Sequence, residues 1–189
     1  MSTGWILAAV AAVVVVYLIV VFNRLVRQRN VVREGWSGID VQLKRRTDLV
    51  PSLVETVKGY ASHERSLFEE IASRRAASVA AGDVSGQANA ERALSGSLGK
   101  LIAVAEGYPD LKANQNFLEL QNQLADIEDH IQMARRYYNG AVRNLNISIQ
   151  SFPDVLVARP LGFREEPFFE LESRAEAAAP QIGFPGGKP

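Results

Sequence analysis

The chain contains no cysteine. That excludes a disulfide framework, a cysteine-rich zinc site and a thiol nucleophile, and it leaves the redox compartment open. Histidine occurs only at His63 and His130. His63-Glu64 lacks the second histidine of an HExxH zinc helix, and Glu128, Asp129 and His130 are neighbours without metal spacing on a shared helix face. Both histidines are therefore read as exposed or locally hydrogen-bonded. Serine never occurs in a nucleophile elbow, and Gly82, Gly86 and Gly96 are scattered rather than gathered into a phosphate loop. Adjacent acids such as Glu69-Glu70 and Glu165-Glu166 point in different directions on a helix and read as solvated faces. The expectation is a protein without a cofactor, a metal or an enzymatic constellation. An excess of either charge is also missing, because 21 lysines and arginines balance 21 acids. That argues against a nucleic-acid partner. The balance hides a basic stretch over residues 23–51, with seven cations against three acids, and an acidic one over residues 164–176.

What the chain does have is a long apolar run. Residues 5–22, WILAAVAAVVVVYLIVVF, hold no charge and would make roughly 27 Å of helix, close to the thickness of a bilayer's hydrocarbon core. A cleaved signal peptide would want basic residues before a shorter run and small residues after it, whereas here FNRLV follows. Residues 1–23 are thus read as a membrane anchor, represented by Trp5, Val14, Tyr17 and Phe22. Arg24, Arg27, Arg29 and Arg33 follow it closely, and the four residues before it carry no side-chain charge. By the positive-inside rule, the amino terminus lies outside and the remainder in the cytoplasm. Arg24, Arg27 and Arg29 are taken as the cations at the membrane surface.

Beyond the anchor, two heptad seams dominate. Val32, Trp36, Ile39, Leu43, Arg46, Val50, Leu53, Val57, Tyr60, Glu64, Leu67 and Ile71 alternate by fours and threes, and ten of these twelve are apolar where a 47% hydrophobic composition predicts five to six. Phe117, Leu120, Leu124, Ile127, Ile131, Ala134, Tyr138, Ala141, Leu145, Ser148 and Phe152 repeat the pattern. A shorter helix over residues 87–106 is marked by Leu94, Leu98, Leu101 and Ala105. The joins fall at Ala81-Gly82-Asp83, at Gly107-Tyr108-Pro109-Asp110 with Asp110 as a cap, and at Phe152-Pro153. Pro51, with Asp48 as a cap, and Gly59 with Ser62 are two further break points. The unbroken phase of the seam favours a kink at each over a reversal, and leaves three rods and four helices both open. Strand character is confined to residues 155–157 and Phe168-Phe169, too little for a sheet. The alanine-, proline- and glycine-rich residues 173–189 read as a disordered tail. The fold expected is all-α, an anchor (1–23) followed by a helical bundle (24–172).

Lys44-Arg45-Arg46 interrupts the first seam with three cations. On a straight helix Lys44 stands 22 residues beyond Phe22, roughly 33 Å away, against a Debye length of about 8 Å. Lipid headgroups are therefore not its partner. Helical pairing of Asp40 with Lys44 and of Arg45 with Asp48 would add only about 0.2–0.5 kcal/mol each. Arg46 occupies a seam position, so its stem can pack while its guanidinium must find a carboxylate, a carbonyl or water. A partly buried structural pair is the first reading for it, and docking of a partner the second. Asp40, Lys44, Arg45, Arg46, Asp48 and Pro51 are together the candidate partner-binding residues.

Residues 29–64, RNVVREGWSGIDVQLKRRTDLVPSLVETVKGYASHE, resemble the signature of the LemA family of bacterial membrane-anchored proteins. The likeness continues through YPDLKANQNFLELQNQL (108–124), ARRYYNGAVRNLN (134–146) and FPDVLVA, GF and PFFE within residues 152–170. It implies an amino-terminal anchor and an up-and-down, antiparallel four-helix bundle. It implies no catalytic residue and no cofactor, and some relatives belong to bacterial membrane organelles. The expectation is a non-enzymatic scaffold or adaptor of the bacterial inner membrane that recruits or regulates other membrane proteins. The alternative is a protein that organises or remodels membrane by assembling with itself as a homo-oligomer.

Overall fold

The computed structural model describes residues 3–170, and the tail expected at 173–189 lies outside them. The described chain is all-α, with no strand among these residues. It comprises α1 (Thr3–Lys58), α2 (Arg65–Ala80), α3 (Val84–Glu106), the single turn α4 (Pro109–Lys112), α5 (Gln115–Gln150) and the single turn α6 (Val155–Ala158). Helix α1 runs without a break from the apolar segment into the seam, 56 residues or roughly 84 Å.

Pairings along the chain set the up-and-down course. Helix α1 packs chiefly against α5, and α2 against α3. Two apolar cores result. The distal core gathers Val50, Leu53 and Val57 of α1, Leu67 and Ile71 of α2, Leu94, Leu98 and Leu101 of α3, and Phe117 of α5. All four long helices meet there. The second core joins Val21 to Leu43 of α1 with Ile131 to Ile149 of α5, and is closed by Val157, Phe163 and Phe169. The four-helix bundle thus occupies the distal part, while the near part is a two-helix stalk covered by the chain after α5. At the stalk α1 and α5 approach so closely that a Cβ on Gly35 would stand 3.1 Å from the Tyr138 Cα.

The two expected break points come out in different ways. Instead of kinking at Gly59, the chain reverses fully over residues 59–64, with Ala61 plugged into the distal core and its amide donating to the Val57 carbonyl at 2.9 Å. Heptad phase carries no information about direction, so the pattern reads through the hairpin although Tyr60 is exposed. At Pro51 the helix neither restarts nor needs Asp48 as a cap. Proline cannot donate to the carbonyl four residues back, here that of Thr47. The Arg75 Nε–H of α2 donates to that oxygen instead, at 2.6 Å.

At the join of residues 81–83, Asp83 caps α3, accepting from the Gly86 amide at 2.8 Å. Asp110 does not cap. It lies within α4, and Asn114 caps α5 by accepting from Phe117 N at 3.1 Å. Residues 155–157, given strand character above, form the helical turn α6. The following chain is an extended strap, held by two asparagines seven residues apart on α5. Asn146 and Asn139 each pair through their amide with the backbone N–H and C=O of Glu166 and Phe169, at 2.9–3.1 Å. Trp36 then packs edge-on against Tyr138 and Phe169.

Candidate functional site

Successive residues on a helix are about 100° apart, so the three cations at 44–46 must face three ways. Arg46 faces inward and is 0% exposed. Its guanidinium bonds the carboxylates of Glu91 (α3) and Glu128 (α5), and donates to Ser95 Oγ at 2.9 Å. The completely buried Glu91 carboxylate also accepts from Ser78 of α2 and from Gln87 Nε2 at 2.8 Å. One guanidinium therefore ties α1 to α3 and α5, and Glu91 adds α2. This layer lies between the two cores: Leu43, Ala88 and Ile131 belong to one, Val50 and Leu94 to the other. Arg46, grouped above with the partner-binding residues, is withdrawn from any docking surface. The structural pairing also foreseen for it is what the fold contains.

Lys44 and Arg45 remain exposed and line different grooves. Lys44 lines a groove of about 380 Å³ with Asp40, Thr47 and Asp48 of α1, Arg75 and Ser78 of α2, and Gln87 of α3. Arg45 lies on a second groove, of about 420 Å³, with Asp48, Ser52, Gln123 and Asp126. Among the described ion pairs none joins Asp40 to Lys44 or Arg45 to Asp48. Pro51 is exposed beyond them. The candidate residues thus divide into two surface grooves and a buried layer.

Between α2 and α3, farther from their turn, no chemistry gathers either. Glu70 accepts from Lys100 Nζ at 3.0 and 3.1 Å and from Ser97 Oγ at 3.0 Å; Lys100 first, and Ser97 second, hold its carboxyl below the ordinary range. This is a clasp between α2 and α3. His63 is exposed, and His130 lies 2.7 Å from the Asp126 carbonyl of its own helix. Among the described residues no group of three or more metal-binding side chains occurs.

At the other end, Trp5, Val14, Tyr17 and Phe22 all lie on the exposed apolar surface of α1, which is long and apolar enough to cross a bilayer. The arginines behind them were expected to face the membrane as a group. Arg24 and Arg27 are both exposed, Arg24 in an ion pair with Asp154, and the half-buried Arg29 guanidinium lies 5.0 Å over the Phe163 ring. Tyr17 Oη also donates to Asp154, at 3.0 Å. Asp154 was not foreseen as a site residue. Nor were Glu91, Glu128 and Arg75. Glu91 did carry a signal, standing three residues before Leu94 on the apolar face of α3.

The LemA family model matches residues 35–184. Magnetosome protein MamQ of Magnetospirillum gryphiswaldense is 25% identical over 193 aligned positions, which cover 87% of this chain and 71% of that protein. Magnetosome protein MamQ 2 of Paramagnetospirillum magneticum is 25% identical, covering 81% and 66%. Protein LemA of Metamycoplasma hominis is 26% identical, covering 78% and 68%. Neither LemA nor MamQ is the name of a known enzyme family. With the matched span reaching from the stalk through the bundle and the strap, this membrane-associated chain belongs to the LemA family.

Proposed function

We propose that the protein is a non-enzymatic scaffold of the bacterial inner membrane. The amino terminus lies outside, and the bundle recruits or regulates membrane-protein partners in the cytoplasm. The observation that carries this reading is the continuity of α1, which holds the groove of Asp40, Lys44, Asp48 and Arg75 on one uninterrupted helix with the apolar span. At about 1.5 Å per residue the groove stands roughly 33 Å beyond the span, too far for lipid headgroups and within reach of a neighbouring protein's cytoplasmic domain. The arginines after the span support the orientation.

Cross-linkers introduced at Asp40, Lys44 and Asp48 in intact cells test the reading. Capture of one distinct membrane protein is the expected result, and specific turnover of a substrate by the purified protein would sink it. The second reading, self-assembly that organises membrane, is favoured by relatives named as magnetosome proteins. Capture of the chain by itself would decide for that. A Ser62→Cys variant, at the exposed distal turn, should resist an impermeant thiol reagent added outside cells; labelling there would reverse the topology.

A further inference from the structure

The second seam ends on Phe152, which its phase assigns to the core, yet this side chain is 81% exposed. Leu156 and Leu161 are exposed as well. Three large apolar side chains thus stand in water's path on one short segment, and that segment lies against the apolar part of α1. An open groove of about 480 Å³ is lined by Leu18, Ile19 and Phe22 of α1 together with Leu156, Pro160 and Leu161. We propose that residues 151–163 are a second membrane contact, an interfacial wedge that seats Phe152, Leu156 and Leu161 where headgroups meet acyl chains. The proposal rests on reading α1 as the membrane anchor.

Three contacts fix the height of the segment on α1. Asp154 is bonded by Tyr17 and Arg24, the Phe163 ring meets Phe22 edge-on at 6.0 Å, and Arg29 covers Phe163. Tyr17 and Arg24 are seven residues apart, roughly 10 Å along the helix, and the apolar run ends between them at Phe22. The segment therefore straddles the end of the hydrocarbon layer. Amphipathic elements in that zone sink their apolar side by about 5–10 Å, which matches. Asp154 is no obstacle to entry, because it is buried and its charge is met by Arg24. Arg27 and Arg159, both exposed, flank the wedge where lipid phosphates would lie. The occupant is lipid for a geometric reason: one wall of the groove is the span itself. Any placement that puts residues 5–22 in hydrocarbon carries the groove to the same depth.

The absence of native cysteine makes the test direct. Single cysteines at Phe152, Leu156, Leu161, Val14 and Met133 are labelled with an environment-sensitive fluorophore in the full chain, reconstituted into phosphatidylcholine–phosphatidylglycerol vesicles. Circular dichroism confirms the helical fold of each variant. Labels at 152, 156 and 161 should shift to the blue and lose intensity to nitroxides near the top of the acyl chain, while the label at 133 responds only to an aqueous quencher. Water-like emission at the three wedge positions with deep quenching at 14 overturns the wedge and keeps the anchor. Shielding from water without lipid quenching means that protein covers the face, and also overturns it. Absence of quenching at 14 removes the anchor and the wedge together.

Discussion

If Arg75 replaces the hydrogen bond that Pro51 cannot make, the two residues are coupled although they are far apart in sequence. The structure gives the acceptor, the Thr47 carbonyl, and the donor distance of 2.6 Å. Arg75→Met keeps most of the aliphatic stem and removes the donor. Thr47 is largely buried at the groove wall, so its carbonyl would be left without a protein donor. Hydrogen bonds from a charged donor contribute about 1.5–3 kcal/mol, and a buried unsatisfied carbonyl carries a penalty of about 1–3 kcal/mol. Arg75→Met alone should therefore lower stability by about 2 kcal/mol. In a Pro51→Ala background the backbone N–H of residue 51 supplies the missing donor, and the same substitution should cost less than about 0.5 kcal/mol. The difference between the two backgrounds is the coupling energy of a double-mutant cycle. Denaturant unfolding of the full chain in mild detergent, followed by helical circular dichroism, measures all four proteins. Equal losses in both backgrounds would refute the replacement and reduce Arg75 to a groove residue.

Further predictions concern the polar layer, the stalk and the strap. Arg46→Ala leaves the buried Glu91 carboxylate without its cation and should destabilise by about 3–5 kcal/mol. Arg46→Met with Glu91→Leu should recover most of that loss, as read by the same unfolding assay. Gly38→Ala, whose added methyl meets nothing within 4 Å, should stabilise α1 by up to about 1 kcal/mol through helix propensity. Gly35→Ala should forfeit that gain, and Gly35→Leu should lose about 1–3 kcal/mol by overpacking against Tyr138. Burial first, and the Glu166 charge second, push the Tyr138 hydroxyl from 10.0 up to about 12. Between those values the unfolded chain releases a proton that the folded one keeps, so stability present below pH 10 falls as pH rises toward 12, by about 3 kcal/mol in all. In Tyr138→Phe that part of the alkaline loss should vanish from the pH dependence of the unfolding midpoint.

Much of the architecture was legible because it depends on period alone. The apolar run, the seam from Val32 to Val57 and the α3 face Leu94-Leu98-Leu101-Ala105 all lie where spacing assigns them. Residues whose role depends on a distant partner were not legible. Nothing near Pro51 announces that a donor on another helix will complete its turn. Phe152 keeps the heptad phase, but α5 has already ended at Gln150, so the phase outlives the helix. The strap is held by side-chain amides against an irregular backbone, a pairing with no period to detect. At the candidate site the triplet of cations was visible, and so was the inward phase of Arg46. Of its acids, Glu91 showed only as one carboxylate on an otherwise apolar face, and Glu128 was hidden among exposed acids.

The buried layer explains why the groove above it has a defined shape. A heptad seam by itself permits register slips, because an apolar residue moved by seven positions meets another apolar residue. The α2–α3 hairpin could slide along α1 and α5 by one heptad, roughly 10 Å, and still bury leucines against valines. Such a slide would carry Glu91 away from Arg46 and leave the Glu91 carboxylate buried without its cation, a loss of about 3–5 kcal/mol on the scale of broken buried pairs. Glu91 also takes Ser78 and Gln87, so α2 is held in the same register as α3. The Arg75 bond to Thr47, one residue from Arg46, pins α2 again. Lys44, Asp48, Arg75 and Gln87 meet in one groove only in that register. The buried cation, Arg46, therefore determines where the exposed one, Lys44, is presented.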